Sequence, residues 1–253
     1  MSERVVAVER ALDILLYLYY AGGEVGVSHL AKELGLNKST THRLLASLEV
    51  KGFVYQNGET ERYSLGKRLY PIGLMAGEHD SLVQLVREPA KRLYDKWHEV
   101  VNVSILDFDP RVGYTSVVAY KIDTHNRVLS INPRVGSRFD AHLSSVGKCL
   151  LAFSPGVDLS FYKDYSFPQY TSSSIQSYDA LLKEIDEVRQ RGYALDKEER
   201  EVGLYCIGAP ILRYGEAIAA ISLSGPTSRI HDSREEERIL SLKEVAEQIA
   251  SGR

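Results

Sequence analysis

The stretch Val27–Leu48, VSHLAKELGLNKSTTHRLLASL, decides the fold of the N-terminal part of the chain. Gly35, in the middle of it, suits the left-handed end of a helix, and we expect Asn37 to cap the next helix with its side-chain oxygen. Apolar residues have helical spacing on both sides of this turn: Leu30, Ala31 and Leu34 before it, and Leu44, Leu45 and Leu48 after it. The spacing predicts a helix-turn-helix.

The second helix would present short or cationic hydrogen-bonding side chains from its first turns. A helix that reads base edges in the major groove of DNA needs such residues there. They are Lys38, Ser39, Thr40, His42 and Arg43. An ordinary helical hairpin without a nucleic-acid partner has the same spacing, so the motif alone leaves both interpretations open.

A β-hairpin is predicted directly after the second helix. Two β-rich runs, Phe53–Tyr55 and Tyr63–Leu65, lie on either side of Asn57-Gly58, a pair that favours a hairpin turn. A hairpin in this position forms a wing, and Arg62 near its tip could reach backbone phosphate or a minor groove. The combined pattern predicts a winged helix-turn-helix that binds double-stranded DNA.

Composition and length are those of an ordinary globular protein with room for two domains. The 253 residues are 44% hydrophobic and 26% charged. No apolar run approaches the ~20 residues of a membrane span, and the charged N-terminus does not match a signal peptide. Cys149 and Cys206 are far apart, as expected of reduced thiols. We therefore expect a cytoplasmic protein with no membrane partner.

The formal net charge of −3 does not exclude DNA, because the distribution of charge matters more than its sum. Residues 37–68 contain six Lys and Arg side chains against three Glu side chains, a local excess of three positive charges. That excess is modest, so useful affinity would need two copies of the motif acting in a dimer.

Helical patterns continue on both sides of the winged motif. The first, Val5–Tyr20, is expected to pack over the helix-turn-helix through apolar residues at helical spacing: Val5, Val8, Ala11, Leu12, Leu15, Leu16 and Tyr19. The apolar end of this helix, LLYLYY, could pack in the core or form part of a dimer seam. Residues 66–79 read as a linker helix. The next helix, Leu82–Val100, contains Pro89, which should kink it or mark its true start.

Beyond Val100 the sequence predicts an α+β domain. Alternating runs over residues 101–108, 112–122 and 126–136 indicate strands of an antiparallel sheet. Further patterns predict helices at Ala141–Phe153, at Tyr178–Gly192 with Ser177 as cap, and at Ser233–Ala250 with Ser233 as cap, and strands at Cys206–Leu212 and Glu216–Ser224.

In this order the motifs resemble the IclR family of bacterial transcriptional regulators over nearly the whole chain. They are ALDILLYL, LAKELGLNKSTTHRLLASLEVKGFV, YSLGKRL, HLSSVGKCLLA, RQRGYALDKEE, GLYCIGAP and AIAAISLSGPTSRI. The resemblance implies an α+β fold with a winged helix-turn-helix in residues 1–65, a linker helix in 66–80 and a GAF-like effector-binding domain with an antiparallel sheet in 81–253. It also implies a dimer or dimer of dimers that represses, or less often activates, a catabolic operon.

The resemblance places the DNA contacts on the residues named above, with Arg62 in the wing. Thr41 stands where the family usually has Val, so we expect it to be buried. The implied effector pocket takes residues from several segments of the second domain: Val128, Ile131, Phe139, Ser144, Ser145, Val146, Gly147, Asp196, Cys206, Ser222 and Ser224.

The polar members of this set suit a small carboxylic acid. The N-terminus of the helix after Ser144 would hold the acid group. Ser222 and Ser224 alternate onto one face of a strand and can donate hydrogen bonds, while Asp196 can accept from a hydroxyl. A capped helix and a strand with incidental serines would look the same. His142-Leu143 and Ser145-Val146 depart from the family pattern, which leaves the identity of the acid open.

Two other classes of function fit the residues less well. An enzyme could use Cys206 as nucleophile and His142 as base, but the sequence has no nucleophile elbow, metal-binding motif or glycine-rich phosphate loop, so we predict no catalytic residues, metal or cofactor. A scaffold whose helix-turn-helix contacts only proteins is the other alternative.

Overall fold

The computed structural model describes residues 5–78, 80–123 and 133–252. The chain divides into two compact units, one ending at Asp80 and the other beginning at Ser81. Val128, Ile131 and most of the strand expected at 126–136 lie outside the described residues.

The first unit is the predicted winged helix-turn-helix followed by a helix. Its described elements are α1 (Val6–Ala21), α2 (Val27–Glu33), α3 (Lys38–Val50), β1 (Val54–Gln56), β2 (Tyr63–Leu65) and α4 (Leu69–Glu78). The strands β1 and β2 pair antiparallel, with Tyr55 opposite Ser64. A short bridge from Val25 to Tyr63 attaches the wing to the segment before α2.

The core of this unit uses one apolar stripe of α1, which overlaps only in part with the predicted one. Ile14 and Leu18 are fully buried with Leu30, Leu45 and other side chains of the helix-turn-helix. Of the residues expected to face the core, Leu15 packs against it, whereas Val5, Val8, Leu12 and Leu16 are exposed. Helix α1 is apolar on two sides, so periodicity alone could not identify the buried one.

One feature of the turn between α2 and α3 is as predicted from the sequence, and another is not. Gly35 has a left-handed backbone, with φ +62, as predicted. Asn37 is at the N-cap of α3, but its side chain makes no capping hydrogen bond, contrary to expectation. Its carbonyl accepts from the hydroxyl of Thr41 at 3.2 Å. Thr41 is fully buried, also as predicted.

The second unit surrounds an antiparallel sheet. Within the described residues its elements are α5 (Ser81–Trp97), β3 (Val100–Asp109), β4 (Gly113–Ile122), β5 (Arg138–Asp140), α6 (Ser145–Phe153), α7 (Tyr178–Arg191), β6 (Ala194–Lys197), β7 (Leu204–Arg213), β8 (Glu216–Pro226), α8 (Thr227–Ile230) and α9 (Glu235–Ser251). The six described strands follow the order β5-β4-β3-β8-β7-β6.

Helices cover both faces of this sheet. On one face α5 and α9 pack on alternate residues of the central strands, among them Val101, Ile207 and Ile221. The residues between these face the other way, toward α6, where Ala194 and Ala220 pack with Leu150. The side chains of Asn102, Cys206 and Ser222 therefore belong to the α6 face.

Several boundaries differ from the sequence-based expectations. Pro89 lies inside α5, which begins at Ser81, so it does not mark the start of that helix. The N-cap of α9 is Arg234 rather than Ser233, and the carboxylate of Asp232 accepts from the backbone N–H of Arg234 at 2.8 Å. Strands β5 and β6 were not predicted, because three or four residues are too few to show an alternating pattern.

Candidate nucleic-acid interface and ligand cavity

The first turns of α3 present the predicted polar residues to solvent. Lys38, Ser39, His42 and Arg43 are exposed, whereas Thr40 is half-buried. Neither Lys38 nor Arg43 is in an ion pair with another described residue, so both charges are available to a polyanion.

The wing turn is fixed by a carboxylate from outside the hairpin. Glu24 accepts from Asn57 Nδ2 at 2.7 Å and from Thr60 Oγ1 at 2.8 Å. These hydrogen bonds, together with the nearby charge of Arg62, hold the pKa of Glu24 below its usual range. The side chain of Arg62 is exposed, but Glu24 offsets part of its positive charge.

A cavity of about 100 Å³ lies between the sheet and the start of α6. Eight of the predicted pocket residues line it: Phe139, Ser144, Ser145, Val146, Asp196, Cys206, Ser222 and Ser224. Sequence reasoning missed a second group: Asn102, Ser104, Val118, Pro133, Leu143, Arg200, Glu201 and Leu204. Asn102 and Ser104 alternate with valines in β3, a signal that could have placed them on the polar face. The loop residues Arg200 and Glu201 have no such signal.

Gly147 is not among the lining residues, and its role is in packing. Its N–H donates to Ser144 Oγ at 3.1 Å, which is the cap of α6. A Cβ at Gly147 would lie 2.4 Å from the Cα of Ala141. Gly208 on β7 has a similar function, because a Cβ there would lie 2.7 Å from the carbonyl carbon of Ser145. The start of α6 thus packs directly on β7.

Polar side chains cross the floor of the cavity from strand to strand. Asn102 on β3 is opposite Ser222 on β8, and Ser224 on β8 is opposite Cys206 on β7. Cys206 is in turn opposite Asp196 on β6. The Oδ1 atom of Asn102 is buried and accepts no hydrogen bond from the described residues. A buried acceptor without a partner is costly, so this position suits a ligand that donates a hydrogen bond.

Burial changes the protonation of two groups in this row. It raises the pKa of Asp196 to about 6, although the backbone N–H of Glu199 donates to its carboxylate at 2.9 Å. Burial beside Asp196 also raises the pKa of the Cys206 thiol well above its usual value. At neutral pH Cys206 is therefore a protonated thiol, which is a hydrogen-bonding group and a poor nucleophile.

Two family models match the chain. The IclR helix-turn-helix domain matches residues 7–58, and the bacterial transcriptional regulator IclR C-terminal domain matches residues 76–251. The chain belongs to the IclR family of DNA-binding transcriptional regulators. It is a regulator and not an enzyme, which removes the hypothesis of a Cys206 nucleophile.

Relatives in the family include a named repressor. The chain is 34% identical to the HTH-type transcriptional repressor AllR of Escherichia coli, over 90% of this chain and 83% of the relative. It is 32% identical to the HTH-type transcriptional regulator BhcR of Paracoccus denitrificans, over 97% of this chain and 86% of the relative. An IclR homolog from Microbacterium hydrocarbonoxydans, solved in complex with 4-hydroxybenzoate, has the same fold, with a TM-score of 0.70, 21% identity and coverage of 97% and 98%.

This IclR-family protein also contains a buried cluster of charged side chains on α6, on α7 and in the loop after β6. Lys148 on α6 is 1% exposed, and its Nζ lies 2.5 Å from Glu199 Oε1 and 3.4 Å from Glu184 Oε1. Burial opposes the charge of Lys148, but the two carboxylates raise its pKa. Burial raises the pKa of Glu199 to about 7 despite the attraction of Lys148. The cluster connects α6 and α7 to the loop after β6.

His142 is enclosed by aromatic rings. The rings of Tyr162, Tyr165 and Phe167 contact it edge-on, with centroids 5.3 to 5.5 Å away. Neither ring nitrogen has a partner among the described residues, and burial lowers the pKa of His142 to about 4. The imidazole is neutral at pH 7 and acts as a packing group.

The described residues contain neither a membrane-spanning helix nor a cluster of metal ligands. No helix among them is long and apolar enough to cross a membrane. In the same part of the chain, no group of three His, Cys, Asp or Glu side chains is arranged to hold a metal ion.

Proposed function

We propose that this regulator represses a catabolic operon and that a small carboxylic acid, bound in the cavity beneath α6, controls its affinity for the operator. The observation that carries the proposal is the polar row on the cavity floor, which ends in the unpaired Oδ1 of Asn102. A region that served only as apolar core would not contain this row of polar side chains. A hydroxy acid or sugar acid would both donate to Asn102 and accept from Ser222 and Ser224.

The cavity also offers an acid-binding position. Ser144 caps α6 through Gly147, and the cavity is lined by Ser145 and Val146, whose backbone N–H groups belong to the first turn of the helix. Such N–H groups at a helix N-terminus favour a carboxylate. The solved relative that holds 4-hydroxybenzoate, a carboxylic acid with a hydroxyl, supports this assignment.

We further propose that the regulator acts as a homodimer, or as a dimer of dimers, built on the exposed stripe of α1. Val5, Val8, Leu12 and Leu16 follow one another at helical spacing and are between 48% and 63% exposed. An apolar stripe of this length is unusual on a free surface. Pairing would double the modest positive charge of each winged motif and set the separation of the two recognition helices.

The experiment that tests the DNA-binding assignment is a gel-shift titration of the protein's own upstream intergenic DNA. Arg43→Ala should weaken binding about ten-fold or more, because a side chain that contacts a base edge contributes ~1–3 kcal/mol. Arg189→Ala, which removes an exposed charge on α7 in the other unit, is the matched control and should change nothing. Equal affinities for the two variants would contradict the assignment of α3. Binding should also fall steeply with salt.

The effector assignment is tested by a thermal-shift screen of hydroxy, keto, sugar and aromatic acids. At least one acid should stabilise the protein, since a ligand that binds only the folded state raises its stability. Ser222→Ala and Asp196→Asn should abolish that shift. If a stabilising acid keeps its full effect in both variants, it binds elsewhere.

A further inference from the structure

Arg200 is the described cation that lines the cavity, and its guanidinium is held in a fixed plane. The group lies 5.2 Å from the ring centroid of Phe139 and 4.9 Å from that of Tyr170. Arg200 Nη1 donates to Asp140 Oδ2 at 3.0 Å, and the hydroxyl of Tyr170 donates to the same oxygen at 3.1 Å. The arginine is therefore preorganised by two aromatic faces and one carboxylate.

This guanidinium has donors left for a ligand. An arginine side chain has five N–H donors in a planar fork that matches a carboxylate. Among the described residues only Asp140 forms an ion pair with Arg200, and the arginine side chain is 35% exposed. The cavity wall thus includes an oriented cation that the proposed binding of one carboxylate at α6 does not use.

The two acid-binding positions enter the cavity from different places along β7. Ser145 at the start of α6 packs over Gly208. Arg200 belongs to the loop that rejoins the sheet at Leu204, where the carbonyl of Leu204 accepts from the N–H of Glu198. Leu204 and Gly208, the residues of β7 next to the two positions, are four residues apart, about 13 Å along the strand at ~3.3 Å per residue, and Arg200 and Ser145 both line the cavity. Cys206 lies between them.

We propose that Arg200 is a specificity-determining residue and that the effector is a short dicarboxylic acid. One carboxylate binds the N–H groups at the start of α6, and the second binds the guanidinium of Arg200 in competition with Asp140. This inference rests on the proposed effector site beneath α6 and adds the chemical class of its ligand.

The test compares pairs of acids that differ only in the second carboxylate. Isothermal titration of the full-length protein would use succinate against butyrate, and malate against 3-hydroxybutyrate, with malonate and glutarate to vary the length. At least one dicarboxylate should bind about ten-fold or more tightly than its matched monocarboxylate, because charge-assisted hydrogen bonds to arginine are strong. In Arg200→Gln that difference should disappear while the weak binding of the monocarboxylate stays the same.

A second variant separates a ligand contact from a structural ion pair. Asp140→Asn removes the charge that competes for Arg200, so dicarboxylates should bind more tightly than to the wild type. If the ion pair were merely structural, Arg200→Gln and Asp140→Asn would lose the same affinity for dicarboxylates, and that result would overturn the inference. Arg189→Gln is the control for loss of one positive charge.

The outcomes also distinguish this inference from the effector site itself. If monocarboxylates and dicarboxylates bind equally and Ser222→Ala abolishes both, the site stands and the role of Arg200 is refuted. If no acid in the wider screen binds, or Ser222→Ala has no effect on those that do, the proposed effector site fails, and the inference about Arg200 fails with it.

Discussion

Replacing Lys148 by methionine should destabilise the effector-binding unit by about 3–5 kcal/mol. The substitution keeps a long apolar side chain but leaves Glu199 without its cationic partner in a buried position, and breaking a buried ion pair costs this much. Lys148 is 1% exposed and Glu199 is 8% exposed, so water cannot replace the lost contact. With a urea m-value of about 2 kcal/mol/M, the midpoint should fall by about 2 M.

The single tryptophan of the chain, Trp97, makes the measurement specific to one unit. It is buried in the core formed by α5, α9 and the sheet, so urea unfolding followed by its fluorescence reports on the second unit alone. Lys91→Met is the matched control. Lys91 Nζ also lies 2.5 Å from a carboxylate, that of Asp95, but both side chains are more than half exposed. Exposed pairs contribute less than about 1 kcal/mol.

The cost of Lys148→Met should depend on pH and on Glu199. Burial gives Glu199 a pKa of about 7 when folded, above its unfolded value, so the folded state binds an extra proton between about pH 4.5 and 7. The free energy of unfolding should therefore be highest at the acidic end of that window and decrease as the pH rises to 7. The decrease should be larger in Lys148→Met. The double variant Lys148→Met with Glu199→Gln should recover most of the loss. A single variant no worse than Lys91→Met, or a double variant worse than the single, would refute this reasoning.

Two further predictions concern the DNA-binding unit. Gly66→Ala should destabilise this unit by about 1–3 kcal/mol, because the new Cβ would lie 2.2 Å from the carbonyl oxygen of Gly52. The loss should appear as a lower melting temperature by circular dichroism and as weaker operator binding. Gly73→Ala, in open space on α4, is the control and should not destabilise the unit. Leu12→Glu should convert the proposed dimer to monomers in light-scattering measurements, whereas Leu240→Glu, at a leucine 56% exposed on α9, should leave that dimer intact; a dimeric Leu12→Glu protein would exclude the α1 seam.

The sequence carried enough information for the elements with a long or chemically distinctive pattern. The turn at Gly35 and the cap of α7 at Ser177 follow from local backbone chemistry, which a few residues specify. The position of the wing followed from its Asn-Gly pair. In the cavity, Ser222 and Ser224 could be placed together because alternation along a strand puts them on one face.

The rest depends on contacts between residues distant in the chain. Nothing near Arg200 in the sequence indicates that it stacks on Phe139 and Tyr170, since the three residues come from separate segments. The buried face of α1 was assigned only in part, because the helix has two apolar stripes and only packing selects one. The N-cap of α9 is one residue later than predicted, at Arg234, after a turn in which the carboxylate of Asp232 accepts from the N–H of Arg234.

The unpaired Oδ1 of Asn102 has a consequence for how this protein can change over evolution. A folded chain with a buried acceptor that has no partner among the described residues is less stable than its packing would permit, and under the proposed function this deficit is kept because the ligand removes it. Substitutions that fill the cavity with apolar atoms would then raise the stability of the protein but remove its response to the ligand. If the cavity is the effector site, drift toward a more stable regulator that no longer responds is opposed only while the metabolite matters to the cell.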